Sequence, residues 1–333
     1  MIGISKLYMG QVEVSDPLRY GRHSAKLPSH LLQFSVDKKP VVVWNVTSAC
    51  NLACTHCYAA TQGTPDELNT GEALALIDDL AAFGCPVLLF SGGEPFIRPD
   101  ILDLARHAVG KGLRVVFSTN GTLIDDALAS QIQAIGVSYV GISIDGSEAT
   151  HDRFRVCPGA FRRSVAGIRA CREAGIKVGL RVTMTRDNIA DIPAIFDLME
   201  AERIPRICLY HLVYCGRGAE LASHDLAPEQ RRATLDLIIE RTARLHARGF
   251  PVEVLTVDNH CDGPYLYLRM QREAHPRADE VMTLLRMNGG NSTGHGIGCI
   301  SWDGTVYPDQ FWRNKPVGNV RQTPFSKIWG EPA

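Results

Sequence analysis

Between residues 40 and 215, the sequence alternates between short β-branched runs and longer segments with apolar residues at helical spacing. The predicted strands are 41–44, 87–90, 115–117, 139–142, 178–183 and 207–212, and the predicted helices are 72–83, 101–109, 125–135, 161–174 and 189–202. A strand–helix repeat with short connections favours parallel strands joined by right-handed crossovers. The six units are fewer than the eight of a closed barrel. We therefore predict an α/β fold built on a partial (β/α)6 TIM-like barrel.

The segments on either side of the repeat have a different character. Residues 1–39 are polar and irregular, and we expect them to lie on the substrate side of a barrel that spans 40–218. Residues 219–333 predict a small α+β extension with helices at 228–248 and 265–287 and a strand at 252–255. A hairpin at 298–307, turned at Asp303-Gly304, completes that extension.

The charge balance argues against general binding of nucleic acid or anionic membranes, and the cysteine content favours metal or redox chemistry. The 333 residues contain 35 Lys and Arg against 36 Asp and Glu, whereas a general binder of nucleic acid or anionic membranes needs a basic excess. No apolar run approaches the ~18 residues of a membrane-spanning helix, and the first residues lack the apolar core of a signal peptide. We therefore expect a cytoplasmic protein. In a reducing compartment, ten cysteines favour metal or redox chemistry over disulfides.

Three cysteines follow the first predicted strand, at the end where βα barrels carry their reactive groups. Cys50, Cys54 and Cys57 supply enough thiolates for three irons of a [4Fe–4S] cluster and leave the fourth iron open. An open coordination position is typical of a catalytic metal. Structural zinc is a weaker alternative, because it needs a fourth ligand and the sequence has no second Cys-x-x-Cys pair. Three thiols packed in a loop are the other alternative.

Together with Gly92-Gly93-Glu94-Pro95 after the second strand, this cysteine spacing resembles the radical S-adenosylmethionine (SAM) enzymes. The resemblance implies that the three cysteines bind a [4Fe–4S] cluster and that SAM chelates its open iron. Reductive cleavage of SAM then gives methionine and a 5'-deoxyadenosyl radical, which removes a hydrogen atom from the substrate. An electron donor such as ferredoxin or flavodoxin is implied as a partner.

The same resemblance implies a set of residues that contact SAM. They are His56, Gly92, Gly93, Glu94, Ser118, Asn120, Ser143 and Arg181. The glycines would let the backbone approach the methionine ammonium group, to which Glu94 supplies an opposite charge. The guanidinium of Arg181 would pair with the methionine carboxylate, the serines and the asparagine would lie near the ribose, and the histidine would lie along the adenine. The alternatives are ordinary tight turns and an ordinary ion pair.

The flanking segments carry a narrower resemblance that extends over essentially the whole chain. Segments 1–8, 18–22, 27–34, 256–263, 298–304 and 308–312 resemble the didecarboxysiroheme deacetylases of the alternative haem pathway. That family removes the two acetate side chains of 12,18-didecarboxysiroheme and so produces iron-coproporphyrin III. Two alternatives stay open. One is the removal of propionates in haem d1 synthesis, and the other is a non-catalytic Fe–S or tetrapyrrole-binding module.

A flat, multiply charged iron tetrapyrrole requires cationic and metal-binding partners. The predicted substrate contacts are Arg153, Arg155, His211 and Arg217, and the candidate ligands of the substrate iron are His23, His30, His211 and His260. The alternative for the arginines is a solvated basic loop that closes over SAM. Three tryptophans offer surfaces for stacking on a macrocycle, although their residue type favours core packing: Trp302, Trp312 and Trp329.

The resemblance also implies a C-terminal region of the SPASM or twitch kind with a second Fe–S cluster. Cys299 is the first candidate ligand, and Cys261 and Cys215 are weaker candidates. Relatives continue beyond Glu331-Pro332-Ala333 into a cysteine-rich segment, so we expect the second site to lack ligands. The cysteines that remain inside or beside predicted elements are expected to pack in the core: Cys85, Cys171 and Cys208.

Overall fold

An eleven-stranded sheet forms the centre of the protein in a computed structural model that describes residues 1–10, 39–59 and 66–330. The strands are β1 Ile2–Gly3, β2 Val41–Asn45, β3 Val87–Ser91, β4 Arg114–Thr119, β5 Tyr139–Ser143, β6 Val178–Met184, β7 Arg206–His211, β8 Glu253–Val257, β9 Ile297–Ile300, β10 Thr305–Tyr307 and β11 Gly318–Asn319. Their order is β1-β8-β7-β6-β5-β4-β3-β2-β9-β10-β11. Strands β2 to β8 are parallel neighbours, so the predicted α/β class is confirmed.

Helices connect the parallel strands and follow them. They are α1 Thr70–Phe83, α2 Ile101–Gly110, α3 Asp126–Ile135, α4 Glu148–Arg155, α5 Ala160–Glu173, α6 Ile192–Ala201, α7 Pro228–Ala247, α8 Asp262–Arg272, α9 Ala278–Asn288 and α10 Phe325–Gly330. Helix α1 shows why these segments begin and end where they do. Asn69 and Glu72 form a reciprocal capping box at its start, and Gly84 adopts the left-handed conformation that closes its end.

Side-chain alternation along the strands separates the core from the functional face. Trp44, Phe90 and Phe117 occupy paired positions on β2, β3 and β4 and are fully buried, with ring centroids 5.7 Å and 5.4 Å apart. Because successive side chains on a strand point to opposite faces, the neighbouring positions face the other way. Val43 and Leu89 accordingly line the cavity described below.

Two strands beyond residue 218 extend the parallel sheet, one on each side. The sequence predicts strands there, but as part of a separate C-terminal extension and not of the six-stranded barrel. Strand β8 pairs in parallel with β7, and β9 pairs in parallel with β2, with Val43 opposite Cys299. The predicted hairpin is confirmed, because β9 and β10 are antiparallel on either side of the turn. The division of the chain at residue 218 stays a prediction, although this sheet crosses it.

Helical structure differs from the prediction at two places. The helical segment predicted for 265–287 is helical but divided into two helices: α8 ends at Arg272 and α9 begins at Ala278. Pro276 lies in the break, where its ring and its missing N–H disfavour a continuous helix, and Ala274 takes a left-handed φ of 49°. Arg153 and Arg155, for which a solvated basic loop is the alternative considered from the sequence, lie on helix α4.

The N-terminal residues contribute to the same sheet. Ile2 and Gly3 pair antiparallel with β8, and a π-helical turn follows at Ser5–Met9. The candidate iron ligands His23 and His30 lie outside the described residues. None of the helices in the described ranges has the length and apolar character needed to span a membrane.

Candidate active site

A cavity of about 310 Å³ lies at the carboxyl ends of the parallel strands. Most of the predicted site residues line it: Cys50, Cys54, His56, Cys57, Gly92, Gly93, Ser118, Asn120, Ser143, Arg155, Arg181, His211 and Arg217. They come from the loops and last residues of six different strands, as expected for a parallel βα architecture. The topology therefore gathers residues that are far apart in sequence around a single space.

The cysteine loop after β2 forms one wall of this cavity. Cys54 is buried, whereas Cys50 is exposed and Cys57 is partly buried. Loss of hydration, reinforced by the nearby thiols of Cys54 and Cys57, raises the pKa of Cys50 to about 11. Burial also raises the pKa of Cys57. Metal binding to these thiols is therefore coupled to proton release.

The donor set of this loop suits a cluster better than a single metal ion. Within the described ranges, no group of three or more His, Cys, Asp or Glu is positioned to hold one ion. A [4Fe–4S] cluster does not need such convergence, because each thiolate binds a separate iron. The three cysteines consequently fit the cluster, and the zinc alternative receives no support from this geometry.

The turn after β3 packs directly against the cysteine loop. The amides of Gly93 and Glu94 donate to the carbonyl oxygens of Thr47 and Ala49, each at 2.8 Å. A Cβ atom on Gly93 would lie 2.0 Å from the oxygen of Ala49, and one on Gly92 would lie 2.5 Å from that of Thr47. Glycine is thus required here by the approach of two backbone segments.

Glu94 is fully buried, and its carboxylate has partners within the protein. It accepts hydrogen bonds from Thr119 Oγ1 at 2.7 Å, from the Asn120 amide at 2.8 Å and from the Phe96 amide at 3.3 Å. Burial nevertheless raises the pKa of Glu94 to about 7. The carboxylate does not line the cavity, so the backbone of the Gly92-Gly93 turn is better placed than Glu94 to meet a ligand.

The Asn120 side chain links two loops of the cavity wall. Its Nδ2 donates to Asn51 Oδ1 at 2.8 Å, and its Oδ1 accepts from the Thr122 amide at 2.8 Å. Asn120 therefore fixes the loop after β4 to the cysteine loop. Ser118 and Ser143 line the cavity from neighbouring strands.

Arg181 on β6 presents its guanidinium to the cavity without an ion pair to a described carboxylate. Its guanidinium lies 4.7 Å from the centroid of the Tyr210 ring, and no carboxylate of the described residues forms an ion pair with it. The ordinary ion pair considered from the sequence is therefore not seen in the part of the chain that the structure describes. An unpaired guanidinium beside the cysteine loop suits a ligand carboxylate.

His56 lies within the cysteine loop in its neutral form. Burial lowers the pKa of His56 to about 4, even though its Nε2 is 3.7 Å from Asp145 Oδ2. Its Nδ1 is buried and has no hydrogen-bond partner among the described residues. The imidazole therefore combines a place on the cavity wall with a ring nitrogen that has no partner among the described residues.

The arginines predicted to bind substrate are placed differently from one another. Arg153 is exposed on α4, does not line the cavity and donates to the Asp187 carbonyl oxygen at 3.4 Å. Arg155, on the buried face of α4, turns its guanidinium to Cys54 and Asp145. Arg217 donates from Nε to the Cys54 carbonyl oxygen at 2.7 Å. Of the three, Arg217 alone combines a place on the cavity with no ion pair to a described carboxylate.

The two candidate iron ligands that the structure describes, His211 and His260, also differ in placement. His211 is buried at the cavity wall, with Nε2 2.8 Å from Asp262 Oδ2 and with Nδ1 buried and unpartnered within the described residues. His260 is exposed and does not line the cavity. Its placement gives no support to a role as ligand of a substrate iron.

Cysteines outside the loop do not gather into a second cluster site among the described residues. Cys299 is buried on β9, where it accepts from Asn45 Nδ2 at 3.7 Å, and Cys261 is exposed before α8. Cys215 is partly buried and donates to the Tyr58 carbonyl oxygen at 3.7 Å. The second cluster stays a prediction. The cysteines expected to pack are all buried: Cys85, Cys171 and Cys208.

The tryptophans divide between core and surface. Trp302 is buried under Arg313, whose guanidinium lies 4.6 Å from the ring centroid, and Trp329 stacks on Phe325 at 5.3 Å. Trp312 is 56% exposed beside the cavity residue Phe311. Of the three, Trp312 is the most exposed.

Several cavity residues escaped the sequence analysis: Tyr58, Tyr210, Asp258, Gln310 and Phe311. Tyr210 had a usable signal, because it shares the face of β7 that points to the cavity. Gln310 and Phe311 lie in segment 308–312, which carries the family resemblance, but no local pattern places them at the cavity. The segment after β10 reaches the cavity only through the pairing of β9 with β2.

Comparison with known proteins agrees with this geometry. The model of the radical SAM superfamily matches residues 44–199. The chain is 61% identical to Fe-coproporphyrin III synthase of Methanosarcina barkeri, over 99% of this chain and 83% of that protein. It is 40% identical to pre-heme d1 synthase of Dinoroseobacter shibae, over 88% of this chain and 74% of that protein.

A solved structure shares the fold at low sequence identity. Streptococcus suis SuiB bound to its precursor peptide SuiA superimposes with a TM-score of 0.70 at 18% identity, over 93% of this chain and 68% of that one. The likeness extends beyond the barrel into the C-terminal strands. From the family match, the close relatives and the cysteine loop, we conclude that the chain belongs to the radical SAM superfamily, whose members use a [4Fe–4S] cluster and SAM.

Proposed function

We propose that this chain removes the two acetate side chains of 12,18-didecarboxysiroheme and yields iron-coproporphyrin III. The observation that carries the proposal is the 61% identity to a protein named Fe-coproporphyrin III synthase, which extends over 99% of this chain. The relative named pre-heme d1 synthase is more distant, at 40% identity. This difference favours acetate removal over the propionate removal considered from the sequence.

Cys50, Cys54 and Cys57 would hold the cluster, and the cavity beside them would receive SAM. Cluster and SAM together supply the 5'-deoxyadenosyl radical that abstracts hydrogen from the substrate. The protein positions the reacting groups and excludes water. The unpaired guanidinium of Arg181 supports a role in binding the methionine carboxylate.

The backbone of the Gly92-Gly93 turn would face the methionine ammonium group. Ser118, Asn120 and Ser143 would lie along the ribose, and the neutral ring of His56 would lie beside the adenine. Glu94 would then support the site without contacting SAM, because its carboxylate accepts hydrogen bonds from Thr119 and Asn120 and so fixes their positions.

The wall formed by Leu212, Val213 and Phe311 would contact the tetrapyrrole. These residues are apolar, as the face of a macrocycle requires, and exposed Trp312 extends the surface outward. Arg217 lies on the same cavity without an ion pair to any described carboxylate, so it suits a substrate carboxylate. An electron-donor protein such as ferredoxin or flavodoxin would supply the reducing electron.

An anaerobic incubation with SAM, dithionite and 12,18-didecarboxysiroheme tests the proposal. We expect mass spectrometry to detect loss of two acetate side chains together with 5'-deoxyadenosine. Loss of two propionates would replace the deacetylase assignment with the haem d1 reaction. A carrier or binding module would form no deoxyadenosine.

Matched cysteine variants make the same experiment specific. Cys54→Ala should abolish both products because it removes a cluster ligand. Cys157→Ala should retain them, since Cys157 lies outside the cavity. Equal activity in the two variants would contradict the assignment of the cluster.

A further inference from the structure

Arg155 lies on the cavity wall with its guanidinium directed at the cysteine loop, although the sequence suggested a contact with substrate. It closes helix α4 and is 6% exposed. Its Nη1 donates to the Cys54 sulfur at 3.4 Å, and its Nη2 lies 2.6 Å from Asp145 Oδ2. The guanidinium thus bridges a thiol of the loop and a buried carboxylate.

A buried arginine is costly to desolvate, so its position requires compensation. Asp145 supplies that compensation and is itself 1% exposed. The carboxylate is fixed from another strand, since its Oδ1 accepts from the Thr183 amide at 3.2 Å. Asp145 therefore orients the guanidinium and leaves one N–H edge directed at Cys54.

Helix α4 is joined to the cysteine loop through the backbone as well. The Thr55 amide donates to the Phe154 carbonyl oxygen at 2.9 Å, next to Arg155 in sequence. The donor and the sulfur are consequently held in a fixed relation by the fold. The interaction does not depend on a flexible surface side chain.

We propose that Arg155 is a positioning residue that raises the reduction potential of the cluster by donating a charge-assisted hydrogen bond to the Cys54 sulfur. The inference rests on the proposed function, because it takes Cys54 as a cluster ligand. Hydrogen bonds to the sulfurs and local charge are recognised determinants of Fe–S potentials. Reduction adds negative charge to the cluster, so a fixed positive donor stabilises the reduced form.

Asp145 has the opposite electrostatic effect in this arrangement. Its negative charge offsets part of the arginine charge and disfavours the reduced cluster. Removing the arginine charge should therefore lower the potential, and removing the carboxylate charge should raise it. A role limited to holding the loop together predicts no such opposition of sign.

Redox titration of the reconstituted cluster, followed by electron paramagnetic resonance, tests the proposal. Arg155→Gln should lower the midpoint so that the reduction equilibrium shifts about tenfold toward the oxidised form, which corresponds to about 59 mV for a one-electron couple. Arg155→Lys should fall between Arg155→Gln and the parent protein, because it keeps the charge and loses the planar fork. Asp145→Asn should move the midpoint upward.

Arg163→Gln is the matched control. Arg163 also donates to a sulfur, from Nη2 to Cys157 at 3.1 Å, but that sulfur is outside the cavity. The cluster of the Arg163→Gln variant should have the same midpoint potential as that of the parent protein. An unchanged midpoint in Arg155→Gln at full iron content would overturn the proposal, as would shifts of the same sign in Arg155→Gln and Asp145→Asn.

Iron content separates this proposal from the proposed function. If the parent protein binds no [4Fe–4S] cluster, the assignment of the cysteines fails first. If only Arg155→Gln fails to bind iron, Arg155→Lys and Asp145→Asn decide the question. Their midpoints must then lie on opposite sides of the parent value, and any other result counts against the proposal.

Discussion

Glu94 and Thr119 form a buried hydrogen bond of 2.7 Å between the turn after β3 and the last residue of β4. The second carboxylate oxygen of Glu94 accepts from the Asn120 amide at 2.8 Å. One side chain thus fixes the loop that carries Asn120, and Asn120 in turn contacts the cysteine loop through Asn51. The positions of the loops that line the cavity therefore depend on these linked hydrogen bonds.

Glu94→Gln should weaken the fold and the site together. An amide in place of the carboxylate sets an N–H group against one of the donors, so we expect a loss of about 1–3 kcal/mol in the free energy of unfolding. Denaturant unfolding measures the loss, and SAM-dependent deoxyadenosine formation should fall with it. Glu220→Gln, at an exposed position, is the control and should match the parent protein in both assays. Equal stability of the two variants would show that the buried bonds contribute nothing.

Gly93→Ala should disrupt the cysteine loop, because the added methyl group would lie 2.0 Å from the Ala49 carbonyl oxygen. We expect a clear drop in the iron bound after anaerobic reconstitution. Gly110→Ala on α2 is the matched control, since no atom lies within 4 Å of its added Cβ. Alanine should be tolerated at 110 or raise stability by about 0.5–1 kcal/mol. Similar iron contents in the two variants would contradict the close approach of the backbones.

His151 should make stability depend on pH. Burial lowers the pKa of His151 to about 4, and its Nδ1 accepts from the Asp145 amide at 3.1 Å. The unfolded chain binds the proton more tightly than the folded chain. The stabilising contribution of the neutral His151 ring is therefore fully present above about pH 6.5 and is lost as the pH falls through about 4. We expect urea midpoints to rise between pH 4.5 and 6.5.

Replacing His151 tests that dependence directly. His151→Gln keeps a hydrogen-bond acceptor and removes the titration, so its urea midpoint should vary less with pH than that of the parent protein. His295→Gln, at an exposed histidine, should leave the slope unchanged. Parallel curves for all three proteins would refute the assignment.

Arg181→Gln should weaken SAM binding by about tenfold or more, because it removes the unpaired guanidinium that faces the cavity. Equilibrium binding of SAM to the reconstituted protein measures the effect. Arg106→Gln removes an exposed arginine paired with Asp103 and should bind SAM like the parent protein. Unaltered affinity in Arg181→Gln would assign the guanidinium to another partner.

The parallel barrel was predictable because its elements carry strong local signals. Trp44, Phe90 and Phe117 lie on one face of three strands, and alternation directs their neighbours to the cavity. The glycines that end the helices and the spacing of the three cysteines can likewise be recognised within short stretches of sequence. These features do not depend on distant parts of the chain.

The features that were not predicted depend on tertiary context. Arg153 and Arg155 are two residues apart, yet only helix α4 decides that the first is exposed and the second is buried against Cys54. Phe311 reaches the cavity through a strand pairing that no local pattern encodes. Arginine count and spacing alone could not separate substrate contacts from partners of the cysteine loop.

The pairing of β9 with β2 has a consequence for how the molecule forms during translation. Asn45 and Cys299 are 254 positions apart in the sequence and meet across this pair. The outer edge of β2 therefore has no strand partner while the intervening residues are being synthesised. Such long-range pairing is slow, and an unpaired strand edge is a template for aggregation. The strand that leads into the cysteine loop thus keeps an unpaired edge until most of the chain has been synthesised.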